Sequence, residues 1–210
     1  MKYAEEVNLI SVAPGTGLKP LRTRTRVLVL RFFLHLVLAG YAWCAAASAV
    51  FAVEEGKLIQ LKAAFIYSFI EYVRWPEATS EDDVIKIGIL GEDSLVKPLR
   101  QIAERRKVEG KRLVVEVFPD GNAIEPCKIL FIPGNRVAEL DSLREGLEAS
   151  NVLLIGDTDG LAKKGVAINF VVARERLRFE ISRNALKRAN LKVGAKMLNL
   201  AILVDQKEGK

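Results

Sequence analysis

Apolar positions along this chain follow three regimes. The first is a block: Arg22, Arg24, Arg26 and Arg31 lead into an apolar run from Phe32 to Ala47, interrupted by His35, with small residues at Ala45–Ala49. From Lys57 onward, short apolar runs alternate with stretches of helical spacing. Towards the end, strict alternation takes over: Leu177, Phe179 and Ile181 interleave with Arg176, Arg178 and Glu180.

The middle regime predicts alternating helices and strands. Leu58, Leu61, Phe65, Phe69 and Tyr72 recur at spacings of three and four. With Ile66, Ile70 and Val73 widening the stripe, they predict a helix over Lys57–Trp75, stopped by Pro76. A strand follows over Val84–Leu90, closed by Gly91, then a helix capped by Ser94 and running to Arg105. Val108–Lys111 turns the chain into a strand over Arg112–Phe118. Cys127–Ile132 is an apolar strand halted by Pro133-Gly134. Arg136–Ala149 has helical spacing, and Asn151–Ile155 is a further strand ending at Gly156-Asp157. Strands apolar on both sides belong inside a parallel sheet covered by helices. The alternating regime predicts an antiparallel hairpin, Val166–Val172 with Arg176–Ser182, on the sheet edge. Ser182 caps a short helix to Ala189, and Lys192–Val204 reads as a last helix. The expected fold is therefore α/β, a three-layer arrangement around a mixed, mostly parallel sheet of flavodoxin or Rossmann type, with a C-terminal antiparallel hairpin.

The opening block has a different meaning. A basic segment, an apolar core and small residues before a charged stretch form a secretory signal. Cleavage after Ala52 or after Ala49 fits. The alternative is an uncleaved helix, since the 22 residues Phe32–Val53 are enough to span a bilayer. Residues 1–21, with Pro14, Gly15, Gly17 and Pro20, exceed what a signal needs and suit a start codon placed too far upstream. The expected division is a leader over 1–52 and a single domain over 53–210.

Setting the leader aside changes the composition. Residues 1–52 hold six of the 32 Lys and Arg and two of the 26 Asp and Glu, so the remainder carries 26 basic and 24 acidic side chains. A net charge of +2 gives no reason to expect nucleic acid. The sole histidine, His35, lies in the leader, and the domain keeps one cysteine, Cys127. Histidine-based triads and histidine-bearing metal sites are thereby excluded. One cysteine allows no internal disulfide. No phosphate-binding Gly-rich loop is present. Asp157-Thr158-Asp159-Gly160 opens like a calcium loop but lacks the later acidic ligands. Neither metal, cofactor nor catalytic residues are expected. One class of site remains: in parallel sheets, ligands sit beyond the carboxyl ends of the strands. That position singles out Gly91, Glu92, Gly156 and Asp157 as candidate ligand-binding residues.

Several segments taken in order resemble the YfiR family of periplasmic proteins. They begin with Lys62-Ala63-Ala64-Phe65-Ile66-Tyr67-Ser68-Phe69 and Tyr72-Val73-Arg74-Trp75-Pro76. Ile87-Gly88-Ile89-Leu90-Gly91, Cys127-Lys128-Ile129-Leu130-Phe131-Ile132 and Leu153-Leu154-Ile155-Gly156-Asp157 follow. The set ends with Gly165-Val166-Ala167-Ile168-Asn169-Phe170, Leu177-Arg178-Phe179-Glu180-Ile181-Ser182 and the run Ala189–Ala201. The resemblance implies a non-catalytic regulator in the periplasm. Its partner would be the periplasmic sensor portion of an inner-membrane signalling protein, such as a diguanylate cyclase that it represses, so that cyclic di-GMP and biofilm formation are restrained. A second copy of the chain and a small-molecule effector stay open as further partners. Lys128 stands where the family commonly has histidine. The second cysteine of better-known members has no counterpart, which removes internal-disulfide control.

Overall fold

The computed structural model describes residues 55–76, 83–147 and 150–204. The leader, its cleavage points and the tail from Asp205 lie outside the described residues. Among the described residues, no helix is long and apolar enough to cross a membrane.

Residues 55–72 form the first helix, α1. Its buried positions are Ala63, Ile66, Phe69 and Ile70, while Leu61 is 45% exposed and Tyr72 41%. Of the expected stripe only Phe69 is fully buried; Ile66 and Ile70, expected to widen it, are buried with it, as is Ala63. The chain leaves helical geometry at Val73, before Pro76. Val73–Arg74 becomes a short strand, β1, paired antiparallel with Lys192–Val193, the later strand β9.

The main sheet has eight strands. Val84–Leu90 (β2), Lys111–Phe118 (β4), Ile129–Ile132 (β5), Leu153–Gly156 (β6) and Ile168–Ala173 (β7) are joined by Lys107–Val108 (β3), Arg176–Ser182 (β8) and Ile202–Val204 (β10). Their order is β10-β8-β7-β6-β5-β2-β4-β3. All neighbouring pairs are parallel except β7 with β8 and β3 with β4. The order β4-β2-β5-β6-β7 is the flavodoxin-type order, with its reversal between β2 and β5. The expected mixed, mostly parallel sheet and the β7–β8 hairpin are both present. Arg174 and Glu175 make the hairpin turn, both at positive φ.

Alternate side chains of the buried strands divide the core. Ile87, Ile89, Ile129, Phe131, Leu153, Ile155, Phe170, Phe179 and Ile181 face α1, Val96–Arg105 (α2) and two later helices, Arg183–Arg188 (α4) and Ala195–Leu200 (α5). Leu90, Leu130, Ile132 and Leu154 face the opposite layer, built from Leu140–Gly146 (α3) and the turn at Leu161. An aromatic cluster ties α1 to the hairpin: Phe69 stacks on Phe170 with ring centroids 5.8 Å apart and meets Phe179 edge-on at 5.2 Å.

Four local expectations are corrected. No side chain caps α2: Ser94 lies in the preceding turn, where the Asp93 carboxylate accepts the Leu95 N–H at 2.7 Å. The predicted helix over Arg136–Ala149 starts as 3-10 turns over Gly134–Glu139 and is α-helical only for Leu140–Gly146. The last helix is split into β9, α5 and β10, because Gly194 leaves helical φ, ψ and donates its N–H to the Tyr72 carbonyl. β10 then pairs parallel with β8, so the hairpin is one strand in from the edge. Ser182, by contrast, caps α4 as expected, accepting the Ala185 N–H.

Candidate functional site

The carboxyl ends of β6, β5 and β2 are adjacent, so the fold brings Gly156-Asp157 and Gly91-Glu92 to one side of the sheet. They are two strand spacings apart, roughly 10 Å, with Pro133-Gly134 between them. The two halves have different surroundings.

At the β2 end, Gly91 adopts φ +73 and donates its N–H to the Phe118 carbonyl at 2.7 Å. A Cβ there would lie 2.7 Å from a terminal nitrogen of Arg136. Arg136 thus covers the crevice where strand order reverses, the position at which ligands enter folds of this topology. Its guanidinium donates to the Pro119 carbonyl at 2.9 Å and grips both carboxylate oxygens of Glu139, the second contact being 3.0 Å. Glu139 also accepts the Gly121 N–H at 3.1 Å. The hydrogen bond from Arg136 holds the Glu139 carboxyl below its usual range. The same bond raises the Arg136 guanidinium. Glu92 is exposed beside this latch.

At the β6 end, Asp157 accepts a hydrogen bond from the Lys62 ammonium of α1 at 2.7 Å; the two side chains are 19% and 16% exposed. The lysine of the α1 motif therefore secures the helix to the end of the sheet, and the aspartate of the calcium-like stretch is engaged by it. Thr158 closes over Gly134. Behind Gly156, the fully buried Asn169 donates to Glu180 at 3.1 Å, while its Oδ1 has no hydrogen-bond partner among the described residues. A Cβ on Gly156 would come within 2.5 Å of a Leu161 methyl and 3.4 Å of that oxygen. Lys62, Arg136, Glu139 and Asn169 all border the predicted residues without having been singled out. Lys62 had a signal, its place in the motif. Arg136 and Glu139 had only an i,i+3 spacing, which surface ion pairs share.

Chemically, this edge offers a guanidinium paired with Glu139, an ammonium paired with Asp157, and the exposed carboxylate of Glu92. Among the described residues, cavities also lie elsewhere. A groove of about 450 Å³ runs between α2 and β4, lined by Arg100, Arg105, Arg106, Lys107 and Arg112 among others. Another of about 300 Å³ lies along α4 and β9. A small one of about 50 Å³ lies between Arg144 and Arg188.

Comparison with solved structures finds distant similarity. A conserved domain protein from Vibrio cholerae O1 biovar eltor is 11% identical with a TM-score of 0.49, over 70% of this chain and 60% of that one. The ABC domain in complex with L-Trp from Streptococcus pneumonia is 12% identical with a TM-score of 0.45, over 57% of this chain and 55% of that one. The chain thus spans somewhat more than half the length of either. Comparison with curated proteins yields no match. A family profile described as YfiR/HmsC-like matches residues 59–202, from within α1 to the start of β10, and so takes in both halves of the strand-end site. This chain belongs to the YfiR/HmsC-like family.

Proposed function

We propose that the protein is a non-catalytic regulator exported to the periplasm, where it binds the sensor portion of an inner-membrane signalling protein and represses it. A diguanylate cyclase is the partner that best suits a member of this family, and restraint of cyclic di-GMP signalling is the consequence. The observation that carries this reading is the family match over 59–202. Repression by binding requires only that the regulator prefer one state of its partner, so that the population shifts toward the inactive form. The leader over 1–52 delivers the domain, with cleavage after Ala52 or Ala49. An uncleaved helix would instead tether the regulator beside its target.

The test is recovery of the partner from native membranes with the tagged full chain, together with the cellular cyclic di-GMP level after deletion of the gene. Recovery of a membrane cyclase and a raised level are expected. Recovery of no signalling protein with an unchanged level would remove the proposal.

A second role is compatible with the first. A small polar effector would enter at Gly91, Glu92, Gly156 and Asp157, where the Arg136–Glu139 latch covers the β2–β5 crevice. Such a ligand would raise the thermal midpoint, and further with each increase in its concentration above the dissociation constant. Loss of that shift in Asp157→Asn and in Arg136→Gln would place it.

A further inference from the structure

β4 has eight residues, yet β3 covers only two of them, pairing Lys107 with Arg112 and Val108 with Lys111. The Arg112 N–H donates to the Asp83 carbonyl and the Phe118 carbonyl accepts from Gly91, both on the β2 side. Backbone groups in a strand alternate between its two neighbours, so Arg112, Val114, Glu116 and Phe118 point to β2. Leu113, Val115 and Val117 therefore present N–H and C=O groups outward, and no strand pairs with them among the described residues.

This open edge forms one wall of the groove of about 450 Å³. Arg100, Arg105, Arg106, Lys107 and Arg112 line it, against a single carboxylate, Glu104. None of the five cations makes an ion pair among the described residues. A domain with nearly balanced charge has thus gathered positive charge along one strand edge. Charged side chains on edge strands commonly serve to repel other edges. Two facts go beyond that role. Arg100 and Arg105 come from α2, across the groove from the strand. The opposite edge, β10, has only Ile202, Leu203 and Val204, so charge is not applied to edges in general.

We infer that the outer edge of β4 receives an extended acidic segment of a protein partner, added as a further strand, with its carboxylates against the α2–β4 arginines. Main-chain pairing at Leu113, Val115 and Val117 supplies the affinity, and the basic wall supplies the selection for acidic sequence. The open stretch Leu113–Phe118 has room for about six residues, roughly 20 Å of strand. That the partner is the signalling protein rests on the proposed function; the peptide site itself does not.

The probe is a labelled heptapeptide alternating Val and Glu, titrated into the full chain in mild detergent at low salt and followed by fluorescence anisotropy. A Val-Lys heptapeptide and a Val-Glu heptapeptide N-methylated at alternate residues are the comparisons. The Val-Glu peptide should bind at least about tenfold tighter than either, with the preference shrinking at high salt. Arg105→Glu, Arg106→Glu and Arg112→Glu together, all at exposed positions, should leave the thermal midpoint in place and reverse the preference toward the Val-Lys peptide. Equal binding of the Glu and Lys peptides, undiminished binding of the N-methylated peptide, or no saturable binding of the Val-Glu peptide would each overturn the inference. The membrane pull-down separates the two ideas. Partner recovery undiminished by the triple substitution removes this surface and spares the regulatory reading. Peptide binding without partner recovery does the reverse.

Discussion

The ammonium of Lys62 lies 2.7 Å from a carboxylate oxygen of Asp157 across 95 residues of chain, with both side chains largely withdrawn from water. This contact joins α1 to the end of β6 and so ties the family segment that opens at Lys62 to the one that closes at Asp157. Losing one partner strands the other charge in a half-buried place, which costs more than the pair itself contributes. Lys62→Met should therefore destabilise the protein by about 1–3 kcal/mol in urea unfolding. Asp157→Asn should cost less, since the amide oxygen still accepts. In a double-mutant cycle the two changes should couple by about 0.5–3 kcal/mol. Strict additivity would mean the contact contributes nothing.

The aromatic cluster supplies a second comparison. Phe69 is 2% exposed and stacks on Phe170, whereas Leu61, two turns earlier, is 45% exposed. Phe69→Ala should cost about 3–5 kcal/mol through lost burial and the cavity it leaves. Leu61→Ala should stay within about 0.5 kcal/mol, as surface changes do. Periodicity alone ranks the two alike, so the denaturation midpoints decide whether α1 presents the face described above.

That comparison marks where sequence pattern suffices and where it does not. β2 is legible because five of its seven residues, Val84, Ile85, Ile87, Ile89 and Leu90, carry β-branched or apolar side chains and Gly91 closes the run. The purely apolar β5 and β6 are equally clear. α1 is legible as a helix, but its inward stripe is not, because Leu61 and Tyr72 fit the period as well as Ala63 and Ile70 do. β1 and β9 have two residues each, and their only support is pairing across more than a hundred residues. Nothing local marks such strands, and Val193, Met197 and Leu200 share a helical spacing that hides the break at Gly194. Gly91 and Gly156 were found by their position after apolar runs. The residues that fill the space around them, Arg136 and Asn169, were not, since their placement comes from tertiary packing.

Gly91 tests the covered crevice. Its positive φ disfavours any side chain, and a Cβ would push on Arg136. Gly91→Ala should destabilise by about 1–2 kcal/mol from backbone strain alone. The displaced guanidinium should release Glu139, whose carboxyl is held down chiefly by its hydrogen bond from Arg136. A folded pKa below the unfolded value stabilises above the unfolded value, and that contribution is lost as pH falls through the folded one. An NMR titration should place Glu139 below the usual glutamate range in the native protein and move it upward in Gly91→Ala and in Arg136→Gln. An unmoved midpoint in Arg136→Gln would show that other groups hold the carboxylate.

Cys127 titrates with the opposite sign. Burial against Phe118 and Leu130 pushes its thiol up to about 12, with a smaller lowering contribution from a backbone hydrogen bond at Gly88. The thiolate is the reactive form, so the Cys127 peptide should resist iodoacetamide at pH 8 in the folded protein and label readily in denaturant, as mass spectrometry can read. A raised folded pKa means the stabilising contribution is complete below the unfolded value and declines as pH rises from about 9 towards 12. Cys127→Ala removes this titration. The stability difference between wild type and Cys127→Ala should hold steady from pH 6 to pH 8 and shift against wild type above about pH 9. A difference that stays flat through pH 11 would mean the thiol is not buried as described.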